Sequence, residues 1–237
     1  MSILSKIQSL ITAANAKTGE SDTTLTDAVQ TLIDGYGQGG GEVISLPSEY
    51  QRVEYISKTN SSGAYINTGY VPELNTDVYV KASIDGKRDQ KFFGGFGTGS
   101  GNGAGFALAQ VGDNWRVTIG VGWTAIGTAV VDAPTDFVIE LRAAKFFVWI
   151  DNQMLFFATD KELYYPLYIL AANYNNSVAG GFGGNIYRVT VRRGDVVLRD
   201  YIPCYRKADG VIGMYEIMTE TFLTNAGGGS FGKGADV

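Results

Sequence analysis

The sequence predicts a mainly β protein, an antiparallel jelly-roll β-sandwich preceded by two short α-helices. Composition is the first reason: of 237 residues, 32 are glycine, 5 are proline and 12% are aromatic, which is typical of tight turns between aromatic-rich strands. Patterning is the second reason, because from residue 45 onward roughly ten or more short apolar runs lie between turn signals, with no helical period among them. The third is that no segment repeats at a fixed period, which disfavours a solenoid or a propeller.

The first 36 residues contain two segments with apolar side chains at helical spacing, at about 2–16 and 24–34, separated by Thr18–Asp22. Their apolar stripes consist of Ile3, Leu4, Ile7, Leu10, Ile11, Leu25, Val29, Leu32 and Ile33. Isolated helices of this length are marginal in water, so the stripes need a partner. That partner is the other helix, a second copy of the chain, another protein or the chain's own β-domain.

Residues 37–44 are rich in glycine, and this composition is typical of a flexible linker. The predicted organisation is a helical segment at 1–36, a linker at 37–44 and a β-sandwich domain at 45–237. We expect the tethered helices to serve attachment or oligomerisation. Packing of the helices on the β-domain is the alternative.

The clearest strand pattern lies between residues 136 and 159. It predicts strands at Phe137–Arg142, Lys145–Ile150 and Gln153–Ala158, with a tight turn at Asp151-Asn152 between the last two. A further hairpin is predicted around the turn Gly194-Asp195.

Several other segments have structural interpretations. The apolar run Leu167–Ala172 predicts one buried strand, and Met214–Ile217 predicts an edge strand. Gly227–Gly229 predicts an adaptable turn that lets Phe231 anchor on the sandwich. The core is expected to include the paired phenylalanines, Trp115 and Trp149.

Charge and hydropathy disfavour two classes of partner. The net charge is −5, and four arginines between residues 188 and 199 lie beside Asp195 and Asp200, as on a solvated strand face, so nucleic acid is not expected. No apolar run reaches 18 residues, so no membrane span is expected. The first residues do not form a convincing signal peptide, and we expect synthesis and folding in a cytoplasm.

The chain contains no histidine, which excludes a Ser-His-Asp triad, a Cys-His dyad and histidine-ligated metals. Its one cysteine, Cys204, cannot form an intrachain disulfide and is expected to be a buried small hydrophobic residue. No acidic ligand loop typical of calcium sites occurs. We therefore predict no metal and no cofactor.

The sequence also disfavours an enzyme. Asp136 and Glu140 share one face of a predicted strand, but a spacing of four residues separates them by about 13 Å at 3.3 Å per residue, too far for a glycosidase pair. The glycines between Gly94 and Gly103 lack the lysine and the following helix of a phosphate-binding loop, so this stretch is predicted to be a surface loop.

Carbohydrate binding requires aromatic platforms near amide groups, commonly on loops of a rigid scaffold. The candidates for such a site are Trp123, Asn173, Tyr174, Asn175 and Asn176. The alternative is that the asparagines serve only the turns in which they lie, because asparagine tolerates turn conformations.

Five motifs, in order, carry a resemblance to a known family. They are Leu46–Ile56 (LPSEYQRVEYI), Tyr65–Tyr70 (YINTGY), the hairpin Ile186–Cys204, Asp209–Glu216 (DGVIGMYE) and Phe222–Phe231. Together they resemble phage and prophage virion proteins. The resemblance covers about residues 46–234, and the stretch 12–37 resembles the N-terminal attachment segments that phages encode.

The resemblance implies a concanavalin A-like, laminin-G-like jelly roll in a virion, as an oligomeric tail-tip, tail-fibre or capsid-surface component. It implies a homotrimer that contacts other virion proteins through the N-terminal helices and displays a head for a host-surface glycan. Two alternatives remain open: a stand-alone bacterial carbohydrate-binding module and a glycan-degrading enzyme.

Overall fold

The protein is described by a computed structural model that covers residues 45–237 except 60, 88, 98–103, 120–122, 143–144, 152, 160–162 and 181. The predicted helices at 2–16 and 24–34 and the linker at 37–44 lie outside the described residues. The described residues form strands joined by turns and loops, with no helix among them.

The strands follow in chain order. The first nine are β1 (Tyr50–Arg52), β2 (Ile56–Lys58), β3 (Ile66–Asn67), β4 (Thr76–Ile84), β5 (Gln90–Gly97), β6 (Ala104–Val111), β7 (Asn114–Ile119), β8 (Thr124–Thr128) and β9 (Thr135–Leu141). The others are β10 (Lys145–Ile150), β11 (Gln153–Thr159), β12 (Tyr168–Ile169), β13 (Ala172–Tyr174), β14 (Ser177–Ala179), β15 (Gly184–Arg193), β16 (Val196–Arg206), β17 (Ile212–Glu216), β18 (Thr221–Leu223) and β19 (Gly232–Lys233).

The strands form two sheets. The larger sheet has the order β11-β10-β9-β4-β15-β16-β17-β18, with β1 on β16, β2 on β15 and β19 on β2. The smaller sheet has the order β14-β13-β5-β6-β7-β8, and β12 and β3 continue it beside β5. Pairing is antiparallel except between β13 and β5, which run parallel. The predicted antiparallel sandwich is therefore present.

Aromatic side chains fill the space between the sheets. Phe92 is fully buried on β5, and its ring centroid lies 5.5 Å from that of Trp115, 5.4 Å from Phe137 and 5.5 Å from Phe182. The Trp115 and Phe137 rings meet edge to face at 5.0 Å, a favourable arrangement of aromatic quadrupoles. Because Phe92 and Trp115 come from the smaller sheet and Phe137 from the larger one, this cluster joins the two sheets.

The strands predicted between residues 136 and 159 are confirmed as β9, β10 and β11, paired in sequence. The hairpin around Gly194-Asp195 is confirmed as β15 and β16. Arg188 of this hairpin forms an ion pair within the protein. Arg188 donates to both carboxylate oxygens of the buried Asp200, at 2.8 and 2.6 Å, so the expected solvated face includes a part-buried ion pair.

Three local predictions are wrong. The run Leu167–Ala172 is interrupted between β12 and β13, where Leu170 has a φ of 65°. The strand β17 is interior rather than at an edge, because β18 pairs with its outer side. Trp149 is only half-buried. It faces away from the core, because side chains alternate along a strand and the residues on either side of it in β10, Val148 and Ile150, are buried.

The C-terminal segment closes the larger sheet. Phe231 packs into the core as predicted, with 8% of its surface exposed. After it, the Gly234 N–H donates to Tyr55 O at 3.0 Å and the Val237 N–H donates to Arg52 O at 3.1 Å. These bonds fix the chain end along β1 and β2.

We predict that Phe92→Ala lowers the free energy of unfolding by roughly 3–5 kcal/mol, because it leaves a cavity among three rings. Urea denaturation followed by tryptophan fluorescence measures the change. The control is Met218→Ala at a half-exposed position, for which we expect a change within about 0.5 kcal/mol. Equal losses for both variants would contradict the placement of Phe92 at the centre of the core.

Candidate functional site

The outer face of the smaller sheet is formed by small side chains. On β6, Phe106 and Leu108 point into the core, so Ala107 and Ala109 between them point outward. Both alanines are nevertheless buried, at 0% and 1% exposure. Other groups must therefore cover this face, and the sheet beneath them presents a smooth floor.

An aromatic cluster provides part of that cover. Phe96, at the end of β5, lies between two rings: its centroid is 5.6 Å from Trp123 and 5.1 Å from Tyr174. Phe96, Ala107 and Ala172 form a small apolar cluster against which Trp123 packs. Trp123 remains half-buried and Tyr174 remains 39% exposed. We call Phe96, Trp123 and Tyr174 the aromatic cluster.

The turn beside the cluster is built by two asparagines. Tyr174 on β13 pairs with Ser177 on β14, which leaves Asn175 and Asn176 as a two-residue hairpin turn. Both have positive φ, 51° and 63°, a conformation that asparagine tolerates better than most residues. The backbone role predicted as the alternative for these two residues is therefore present.

The Asn175 side chain also has contacts of its own. Its Oδ1 accepts a hydrogen bond of 2.9 Å from the Tyr165 hydroxyl. Gly97 permits this approach, because a Cβ at this position would collide with Asn175 Oδ1 and lie 2.6 Å from the Tyr165 ring. The turn is thus held against the end of β5, close to the aromatic cluster.

Asn173 occupies a different place from the other sequence candidates. It is fully buried, its Nδ2 donates to Pro166 O at 3.0 Å, and its Oδ1 has no partner among the described residues. Neighbouring residues on a strand face opposite sides, so Asn173 points inward where Tyr174 points outward. Asn173 therefore holds the segment before β12 in place and does not form part of the surface.

Two cations share the outer face of the smaller sheet with the aromatic cluster. Lys91 and Arg116 both pair with Ala109, from β5 and β7, and so share its outer face. The Lys91 ammonium lies 5.7 Å from the Trp123 ring centroid, within the range of a cation–π contact. The Arg116 Nε is covered from solvent and has no acceptor among the described residues. The face therefore combines aromatic surface with hydrogen-bond donors.

The sequence candidates missed Phe96, Tyr165, Lys91 and Arg116. The stretch Gly94–Gly97, which includes Phe96, was predicted to be part of a surface loop, whereas it belongs to β5. The useful signal was the set of glycines around Phe96, because glycine in a strand marks close approach of another part of the chain.

The groups considered for catalysis are engaged elsewhere. Asp136 pairs with Lys81 at 3.8 Å and Glu140 with Arg142 at 3.3 Å, on the outer face of the larger sheet. Cys204 is buried, as predicted, and burial raises the pKa of its thiol to about 12. A thiol in that state is a poor nucleophile at neutral pH.

Within the described ranges, no group of three or more acidic or cysteine side chains is placed to hold a metal ion. The same ranges contain no helix with the length and apolar character of a membrane span.

No protein-family model and no curated protein matches the sequence. Solved structures do match its fold. A candidate carbohydrate-binding protein from Bacteroides ovatus aligns with a TM-score of 0.52 and 11% identity, over 78% of this chain and 62% of that one. A heptameric SAP-like pentraxin from Limulus polyphemus aligns with a TM-score of 0.49 and 8% identity, over 80% and 97%.

A third similar structure is the CBM40 module of a Ruminococcus gnavus sialidase bound to sialyllactose. It has a TM-score of 0.46 and 13% identity, over 61% of this chain and 91% of the module. The similarity to these structures is one of fold, and that fold is a jelly-roll β-sandwich.

We predict that Gly97→Ala displaces Asn175 and the Tyr165 ring and lowers the free energy of unfolding by roughly 1–3 kcal/mol. Urea denaturation and near-ultraviolet circular dichroism measure the two effects. Gly228→Ala is the matched control, because a Cβ there meets no atom within 4 Å. An unchanged aromatic spectrum in Gly97→Ala would contradict the contact between the turn and β5.

Proposed function

We propose that this protein is an oligomeric phage virion component whose β-sandwich recognises a host-surface glycan through the outer face of the smaller sheet. The single observation that carries the glycan part is the aromatic cluster with two cations on the same face of the sheet. Sugar-binding sites use aromatic rings as platforms and polar groups to fix the hydroxyls.

The chemistry of this face fits such a ligand. Trp123 and Tyr174 present ring surface that is partly open to solvent, and Lys91 and Arg116 supply donors on the same face. The alanine floor leaves the rings as the raised part of the surface. A flat ligand with one apolar side and hydroxyls at its edge matches that arrangement better than a charged polymer does.

Two further observations support the proposal. The fold is similar to that of a Bacteroides ovatus protein considered to bind carbohydrate. The five sequence motifs, and the stretch 12–37 that resembles phage attachment segments, favour a place in a tail tip, a tail fibre or a capsid surface. On this proposal the sandwich is a binding head without catalytic activity, and the helices join copies of the chain, as a homotrimer, to each other and to the virion.

A stand-alone bacterial carbohydrate-binding module is the second candidate, favoured by the same structural similarity. It shares the binding face but does not need the apolar stripes of the predicted helices for assembly. The two candidates therefore differ in the effect of changes at residues 1–36.

We predict that Trp123→Ala weakens binding to a responsive bacterial surface polysaccharide by about tenfold or more, because tryptophans at the centre of binding surfaces often contribute most of the affinity. A printed panel of such polysaccharides identifies the ligand, and isothermal titration calorimetry measures the affinity. The control is Trp149→Ala, on the outer face of the larger sheet, with both variants checked for folding. Absence of any glycan ligand, or equal loss in both variants, would contradict the assignment.

We predict that the full chain is an oligomer in solution and that Ile7→Glu with Leu32→Glu reduces its mass to that of a monomer, because the charges disrupt the apolar stripes. Multi-angle light scattering measures the mass. Gln8→Glu adds a charge away from the stripes and should leave the mass unchanged. A monomeric wild-type chain would argue for the stand-alone module.

A further inference from the structure

A second candidate site lies on the larger sheet, away from the aromatic cluster. It is a depression of about 550 Å³ beside β2, β15 and the C-terminal loop, lined mostly by polar residues and within the size range of small-molecule sites. Its lining includes Ser57, Lys58, Asp85, Asn185 and Ser230. We call this depression the Lys58 pocket.

Lys58 is an unusual component of this lining. Only 5% of the residue is exposed, and its ammonium donates one hydrogen bond of 2.8 Å, to Ala64 O. No carboxylate pairs with it in the part of the chain that the structure describes, and burial alone lowers its pKa to about 8. A buried ammonium without a counter-charge is unfavourable, so an anion bound beside it would recover free energy.

The remainder of the lining is suited to hydroxyl groups. Ser57 and Ser230 have side-chain oxygens without a hydrogen-bond partner among the described residues. The Asn185 Nδ2 donates to Ser83 Oγ at 3.0 Å, which orients the amide and leaves its oxygen as an acceptor. Asp85 also lies in the lining.

We propose that the Lys58 pocket binds a sugar that carries a carboxylate, such as a uronic acid residue of an acidic glycan. The carboxylate of the sugar pairs with the Lys58 ammonium, and its hydroxyls bond to the serine and asparagine oxygens. The pocket is separate from the aromatic cluster, so this proposal extends the proposed glycan recognition to a second site with its own specificity.

The test is isothermal titration calorimetry of the full chain with sodium D-glucuronate at pH 6.5. Glucuronate should bind at one site per chain, and D-glucose and sodium acetate should each bind at least about tenfold more weakly, because each lacks one half of the recognised chemistry. Lys58→Met should abolish glucuronate binding. The control Lys207→Met should retain it, since Lys207 is exposed and also donates to a backbone carbonyl.

The wild-type protein provides a second measurement that needs no variant. Anion binding requires the protonated amine, so the dissociation constant for glucuronate should rise about tenfold between pH 6.5 and pH 9. The other charged side chain of the lining is Asp85.

Three results would overturn the proposal: no binding of glucuronate, equal binding of glucose or acetate, or an affinity that does not change with pH. Trp123→Ala distinguishes this proposal from the first one, because it should remove polysaccharide binding at the aromatic cluster and leave glucuronate binding intact. Loss of glucuronate binding in Trp123→Ala would assign the ligand to the aromatic cluster and contradict the Lys58 pocket.

Discussion

Packing of the two sheets around Phe92 is the constraint on which the rest of the structure depends. Its ring meets Trp115 from its own sheet and Phe137 from the other, so it fixes both sheets relative to one another. Side chains alternate along a strand, and a shift of one residue would exchange the inner and outer faces. The position of every outward-facing group, including those of the candidate site, therefore follows from this contact.

The outer faces of the two sheets carry different kinds of side chain. Ion pairs cover the outer face of the larger sheet, where Arg188 binds Asp200 and Arg142 binds Glu140. The outer face of the smaller sheet instead has alanines under exposed rings. The groups held in these ion pairs are already engaged within the protein, whereas the ring surface of the smaller sheet is partly open to solvent.

Much of the fold followed from local sequence signals. Turn residues and alternation located the meander of β9, β10 and β11, and Phe231 anchored where predicted. The site was predicted less well. Trp123 and Tyr174 were identified because aromatic residues near asparagines are visible in the sequence, but Phe96 between them was predicted to lie in a surface loop. Whether a phenylalanine on a strand faces outward or inward depends on its place in the alternation of side chains. Several phenylalanines close together in the sequence do not reveal that place.

The sequence by itself determined the class of the fold, the absence of histidine chemistry and the residue types available for binding, because composition and local periodicity are properties of the chain alone. Only the tertiary structure decided which of those residues meet. Asn173 and Tyr174 are neighbours in sequence but lie on opposite sides of a sheet. Lys58 became a candidate ligand-binding group because distant segments bury it without a carboxylate, and that depends on contacts between residues far apart in the chain.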